Sequence, residues 1–275
     1  LYNYSQIAGT VTIIFALVSF MIASMVFVSF YKKAMEFWRP ALILALINAS
    51  FAIIRFIPSI FNWPCLEENF KHHDFVTYLT IMVIAIPYDL IKIFIFITAG
   101  SLLYKYLDFM PLRLTKGNDE WKSAGYWIDI LITCLIFIVF TEFLVYVIHP
   151  VTSDQGKKAS ELMLSFYLSK DVGAFHIASC APWVEEVTWR FFLPALLLYL
   201  LKNMRLKWIY TIVITSTVWS LAHAGMLHPE WMRFIQIFIY GLLLGWLFKK
   251  RGLEACLLSH MTCNIILTAI HHSQF

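Results

Sequence analysis

Long apolar runs, broken by short polar stretches, dominate the chain. Eight of them reach or approach the roughly 20 residues that a helix needs to cross a bilayer. They lie at about 8–31, 41–61, 75–103, 126–148, 177–201, 207–223, 232–248 and 252–271. The runs are continuous, which excludes the alternating strands of about ten residues that build membrane barrels. No internal repeat and no Gly/Ser-rich linker divides them. The pattern predicts an all-α, polytopic membrane bundle of about eight helices, forming a single integral membrane domain over residues 1–275. The first run is too long for the core of a signal peptide and lacks its small-residue cleavage site, so it is expected to be a retained span.

Composition agrees. Hydrophobic residues make up 60% of the chain and charged residues 14%, with a mean hydropathy of +0.73. A soluble domain averages about 45–50% apolar and about 25% charged. The cysteines at 65, 134, 180, 256 and 263 form no CxxC or Cys/His pattern and are expected to act as small hydrophobes. A glycine-rich phosphate loop and a basic cluster are both missing, so nucleic acid is not an expected partner; the lipid bilayer is.

The distribution of charge adds orientation. The connections after the first, third, fifth and seventh runs hold thirteen Lys and Arg residues, against five in the alternate connections and none at the termini. Basic residues are retained on the cytoplasmic side. The bias places both termini, and the mouth of any site near the other end, outside the cytoplasm. Residues 105–124, with Trp121 and several charges, are expected to lie in the cytoplasmic interface.

Charges within the runs are costly and point to pairing or function. Asp89 and Lys92, three apart, can pair on one helix. Asp129 and Glu254 lie near an interface, and Arg55 needs a carboxylate from another helix. Glu185 and Glu186 differ from these: the two carboxylates sit roughly 12 Å into the fifth run at 1.5 Å per residue. Glu186 and Arg190 are four apart and in line for an ion pair. Glu185 points about 100° away, without a partner on its own helix, and is a candidate general base. His223 closes the sixth run, while His260 and Asn264 lie one turn apart on one face of the eighth. His72, His73, His149, His271 and His272 are expected to be solvated at interfaces, with His176 and His228 nearer an outer mouth.

Three of these segments resemble the motifs of one family. Glu185-Glu186-Val-Thr-Trp-Arg190 resembles the EExxxR motif of the CAAX protease and bacteriocin-processing (CPBP, or Abi) family of intramembrane glutamic proteases. Trp219-Ser-Leu-Ala-His223 resembles its second motif, which commonly begins with Phe, and His260-Met-Thr-Cys-Asn264 its third, HxxxN. The resemblance covers about residues 176–268, a protease core that includes the run Gly241-Leu-Leu-Leu-Gly245. It implies an endopeptidase acting on a membrane-associated or exported peptide or protein. Glu185 would be the general base toward water and His223 its partner. His260 and Asn264 would stabilise the oxyanion, and Glu186 and Arg190 would support them from behind. No cofactor or metal is implied. Eukaryotic-type CAAX prenyl endopeptidases of the family work on the cytosolic side, whereas the charge pattern sets Glu185 nearer the outer face. That pattern fits members of prokaryotic plasma membranes that process exported peptides or anchored surface proteins.

Two other readings stay open at this point. Glu, His and His can ligate zinc, which would make a metalloprotease, although no HExxH is present. A non-catalytic scaffold or immunity protein of the same fold would be expected to have lost a motif residue; none is lost. A transporter would call for broken helices in two matching halves, and Pro58, Pro87 and Pro194 show no such match. Neither substrate identity nor oligomeric state follows from the sequence.

Overall fold

A computed structural model of the chain describes residues 4–54, 84, 86–112, 119–154, 156–157, 160 and 170–271. Arg55, Pro58, Cys65, His72, His73 and His272, which the sequence singles out, and the basic residues Lys71, Arg113, Lys116 and Lys158 of the connections lie outside the described residues. The described chain is helical: α1 Tyr4–Ser29, α2 Trp38–Ile54, α3 Ile86–Tyr106, α4 Ala124–Ile148, α5 Lys170–Glu186, α6 Leu193–Leu200, α7 Lys207–Ala222, α8 Glu230–Arg251 and α9 Leu253–His271. A π-helical segment, Val187–Phe192, joins α5 to α6. A short antiparallel ribbon pairs β1 (Val151–Thr152) with β2 (Leu227–His228).

Each of the eight apolar runs holds a helix. Among the described residues, α3, α4, α8 and α9 qualify as membrane spans by length and hydropathy alone, and Ile14–Ser29 with Tyr31–Ser50, which includes most of α2, counts as a fifth, bent by 99° at the break. The fifth run is split by the π segment, and α7, at 16 residues, is short. The split has a local cause. Pro194 has no N–H to give the carbonyl four residues back, that of Arg190, and its ring crowds it. The wider π turn runs up to the residue before Leu193-Pro194 and relieves that conflict. The protein is an integral membrane protein, and the outward faces of α1 and α4 are accordingly apolar: Met25, Val28, Leu131, Leu135 and Phe143 are all exposed.

Small residues let the helices that carry the site approach closely, as membrane helices do in the absence of a strong hydrophobic drive. A Cβ on Gly241 would lie 2.7 Å from Ser216 Cβ, and one on Gly245 would lie 2.7 Å from Ile212 Cγ2, so α8 packs against α7 along that pair. Stacked rings fill the remaining space, Phe137 on Tyr240 at 3.7 Å between centroids and Phe96 on Phe192 at 4.8 Å. Tyr104 Oη donates to Phe191 O at 3.0 Å, tying α3 to the π segment. Cys134, Cys256 and Cys263 are free and buried among these groups.

Polar ties mark the two ends of the bundle. At one end Lys105 pairs with Glu36, Lys33 donates to Tyr106 Oη at 3.3 Å, and Lys249 lies over the Trp208 ring at 5.7 Å. There, too, Asp129 accepts from Lys250 at 2.8 Å and Arg251 at 2.6 Å. Gly252, at φ 87°, takes the left-handed turn from α8 into α9. The basic connections identified in the sequence thus gather at one end. His223, at the far end of α7 from Trp208, belongs to the opposite end. Asp89 and Lys92 pair at 2.7 Å as expected. His271 differs from expectation: it is held by Glu142 at 2.9 Å, because the ends of α4 and α9 meet.

Candidate active site

The junction of α5 with the π segment sends two adjacent carboxylates to different neighbours. Glu186 is fully buried, at 0% side-chain exposure, whereas Glu185 is 25% exposed. Of the two, Glu185 has the access to water. Its Oε2 accepts from the indole Nε1 of Trp219 at 2.9 Å, and its Oε1 lies 3.9 Å from His223 Nε2. His223 caps the C-terminus of α7, and its Nδ1 is 3.0 Å from Trp219 O. A carbonyl oxygen only accepts, so Nδ1 carries the proton. In the neutral ring, Nε2 then presents a lone pair toward Glu185.

Glu186 is committed elsewhere. Its Oε1 is 2.8 Å from His260 Nδ1 on α9. The expected ion pair with Arg190 forms only loosely, at 3.8 Å from Arg190 Nε to Glu186 Oε2, too long for a hydrogen bond. Arg190 is buried, lies 4.4 Å over the Trp219 ring, and donates Nη1 to Trp189 O at 3.3 Å. Cation–π attraction, strongest on Trp, supplies part of what the ion pair does not. Asn264 reaches back to α5, with Nδ2 3.4 Å from Ala178 O.

Trp219 is the centre of the arrangement. It is 1% exposed, and its ring also packs edge-on against His223 at 5.4 Å and His260 at 5.5 Å. A phenyl ring could make the packing contacts but not the hydrogen bond to Glu185. Sequence reasoning marked the departure from Phe at this position without seeing the donor it introduces. It also counted Arg233 as a connection charge. Arg233 lies in the first turn of α8, which follows the ribbon strand Leu227–His228. It interacts electrostatically with both Glu185 and His223. Its Nη1 donates to Gln236 Oε1 at 2.7 Å, and Gln236 Nε2 donates to Thr141 Oγ1 at 3.1 Å.

The structure therefore brings Glu185 to His223 and Glu186 to His260, with Trp219 between the two pairs. Among the described residues, no three His, Cys, Asp or Glu side chains converge as metal ligands.

Residues 172–266 match the family of type II CAAX prenyl endopeptidases, Rce1-like. The sporulation-killing factor biosynthesis protein SkfC of Bacillus subtilis (strain 168) is 29% identical over 92 residues, which are 33% of this chain and 18% of that protein's length. The chain thus corresponds to less than a fifth of that relative. No solved structure matches. The matched segment, about a third of the chain, contains all three motifs and every residue of the Glu185–His223 and Glu186–His260 pairs, and over it the chain is similar to the type II CAAX prenyl endopeptidases.

Proposed function

We propose that the chain is an intramembrane glutamate-dependent endopeptidase that cleaves a membrane-associated or exported peptide or protein. One observation carries the reading: two hydrogen-bond acceptors, Glu185 Oε1 and His223 Nε2, stand 3.9 Å apart at the water-accessible side of an otherwise dry bundle. A single water can donate one proton to each at ordinary hydrogen-bond lengths. Glu185 takes one of those protons as the water oxygen attacks the peptide carbonyl, and passes it to the departing amine. Its Oε2 is held by Trp219, so Oε1 is the basic atom. His260 and Asn264 face the developing oxyanion. His260 Nε2 can donate only when the Glu186–His260 pair holds two protons between them, since Nδ1 is engaged by the carboxylate.

The test uses the purified protein in proteoliposomes with a library of lipid-anchored, internally quenched peptides. Cleavage that persists through treatment with EDTA and phenanthroline is expected. Loss under chelation and recovery on adding zinc would favour the metalloprotease reading. No cleavage of any such peptide, prenylated or not, would favour the scaffold.

In this reading the active-site mouth opens on the non-cytoplasmic face of a prokaryotic plasma membrane. This rests on the thirteen-to-five bias of basic residues and on their gathering at the end away from His223. The name of the relative, which refers to biosynthesis of a killing factor, fits a peptide-maturing role. Reporters fused after Phe275 should be active outside the cytoplasm. Cytoplasmic activity would turn the site inward and restore a CAAX-type substrate.

A further inference from the structure

Among the described residues, Arg233 is a cation near the base that forms no ion pair. Its guanidinium is half-buried, and its Nε is buried without a hydrogen-bond partner among the described residues. Leaving such a donor unmet costs stability, and a substrate oxygen at this place would meet it. The side chain is not loose: Gln236 takes Nη1, and Thr141 on α4 fixes Gln236. Arg233 stands two helical turns before Tyr240, whose ring packs on His260 at 5.3 Å and Trp219 at 6.0 Å, so it lies on the face of α8 that meets the site. It interacts electrostatically with Glu185 but does not pair with it, because Glu185 is held by Trp219 and faces His223. The donors expected for the oxyanion are meanwhile partly occupied, His260 Nδ1 by Glu186 and Asn264 Nδ2 by Ala178 O.

We propose that Arg233 touches the substrate and donates a charge-assisted hydrogen bond to the scissile carbonyl oxygen as it becomes an oxyanion. The inference rests on the glutamate-protease reading. In the step, the water oxygen bonds to the carbonyl carbon as its proton goes to Glu185, and the carbonyl π pair moves onto oxygen. The negative charge meets Arg233. Collapse then re-forms the carbonyl and breaks the C–N bond, and the proton on Glu185 leaves with the amine. A guanidinium suits the task because it is always charged and presents several donors in a fixed plane.

The test compares Arg233→Gln, Arg233→Lys and Arg233→Ala in proteoliposomes, on a lipid-anchored quenched peptide that the parent protein cleaves, with Glu185→Gln alongside. Arg233→Gln should lower kcat by about 10²–10³-fold, the usual effect of losing one oxyanion donor, with KM nearly unchanged. Arg233→Lys should fall between the two, and guanidinium chloride, but not sodium chloride, should restore part of the activity of Arg233→Ala. Melting of each variant separates folding from chemistry. Unchanged kcat per folded molecule, or a lowered melting temperature without guanidinium rescue, would overturn the proposal and leave Arg233 as a brace for α8. If Glu185→Gln cleaves as the parent does, the glutamate reading itself fails. If only the Arg233 variants are normal, this inference fails alone.

Discussion

Glu185→Gln is expected to give a folded protein that does not cleave. The carboxamide has the size of the carboxylate, and its oxygen can still accept from Trp219 Nε1, so the 2.9 Å bond across α5 and α7 has a replacement. What it cannot do is take the proton of a water shared with His223. General-base catalysis contributes about 10²–10⁴-fold, and the loss should be at least of that order, appearing in kcat. Melting should stay within a degree or two of the parent, since Glu185 is partly exposed and a surface-accessible change away from the core usually costs little. Trp219→Phe should give a partial version of the same defect. It keeps a ring beneath Arg190 and between the two histidines but removes the donor to Oε2. A hydrogen bond to a charged group is worth about 1.5–3 kcal/mol, and roughly a tenfold fall in kcat is expected as the carboxylate swings between orientations. Cleavage assayed per folded molecule checks both variants. Full activity in Glu185→Gln would remove the base from the mechanism.

How much of this was open to sequence reasoning depended on the range of the interaction. Helices were legible because a bilayer demands a long apolar run, and each of the eight runs holds one. Pairing within a helix was legible for Asp89 and Lys92, where spacing fixes the geometry. The same logic found Glu186 and Arg190, which form a loose ion pair at 3.8 Å, but not the second partner of that carboxylate. A stronger partner for Glu186, His260, comes from a helix 74 residues away in sequence, and no periodicity reports that. Trp219 shows the opposite case: the residue type held the signal, an N–H where the motif usually has none, but its target lay on another helix. Arg233 entered the sequence reading only as one of the five basic residues of the alternate connections, which assigned it no role. The ribbon strand Leu227–His228 lies between His223 and the start of α8, so Arg233 follows His223 by ten residues at the same end of the bundle. The 99° bend after Ser29 was likewise beyond reach, since hydropathy reports length and not direction.

Glu186→Gln should fail differently, in stability first. The residue is completely buried, and it is the carboxylate shared by His260 and Arg190. Neutralising it leaves the buried Arg190 charge facing only the Trp219 ring, at 4.4 Å, and the carbonyl of Trp189. Breaking a buried pair by removing one partner typically costs about 3–5 kcal/mol. The 3.8 Å separation and the unpartnered Glu186 Oε2, Arg190 Nε and Arg190 Nη2 put this pair at the low end of that range. Activity should also fall, for a separate reason. His260 Nδ1 loses a charged acceptor, so the ring is less well oriented, which weakens any donation from Nε2 to the oxyanion. The two effects can be told apart with a second substitution. Glu186→Gln combined with Arg190→Met removes both charges and should recover most of the melting temperature, because replacing a buried ion pair with apolar groups is often close to neutral. It should not recover cleavage, because His260 still lacks its carboxylate. Recovery of both would mean that Glu186 serves only to balance Arg190. If Glu186→Gln is inactive yet as stable as the parent while Glu185→Gln still cleaves, the two glutamates have exchanged roles, and the base is the buried carboxylate beside His260.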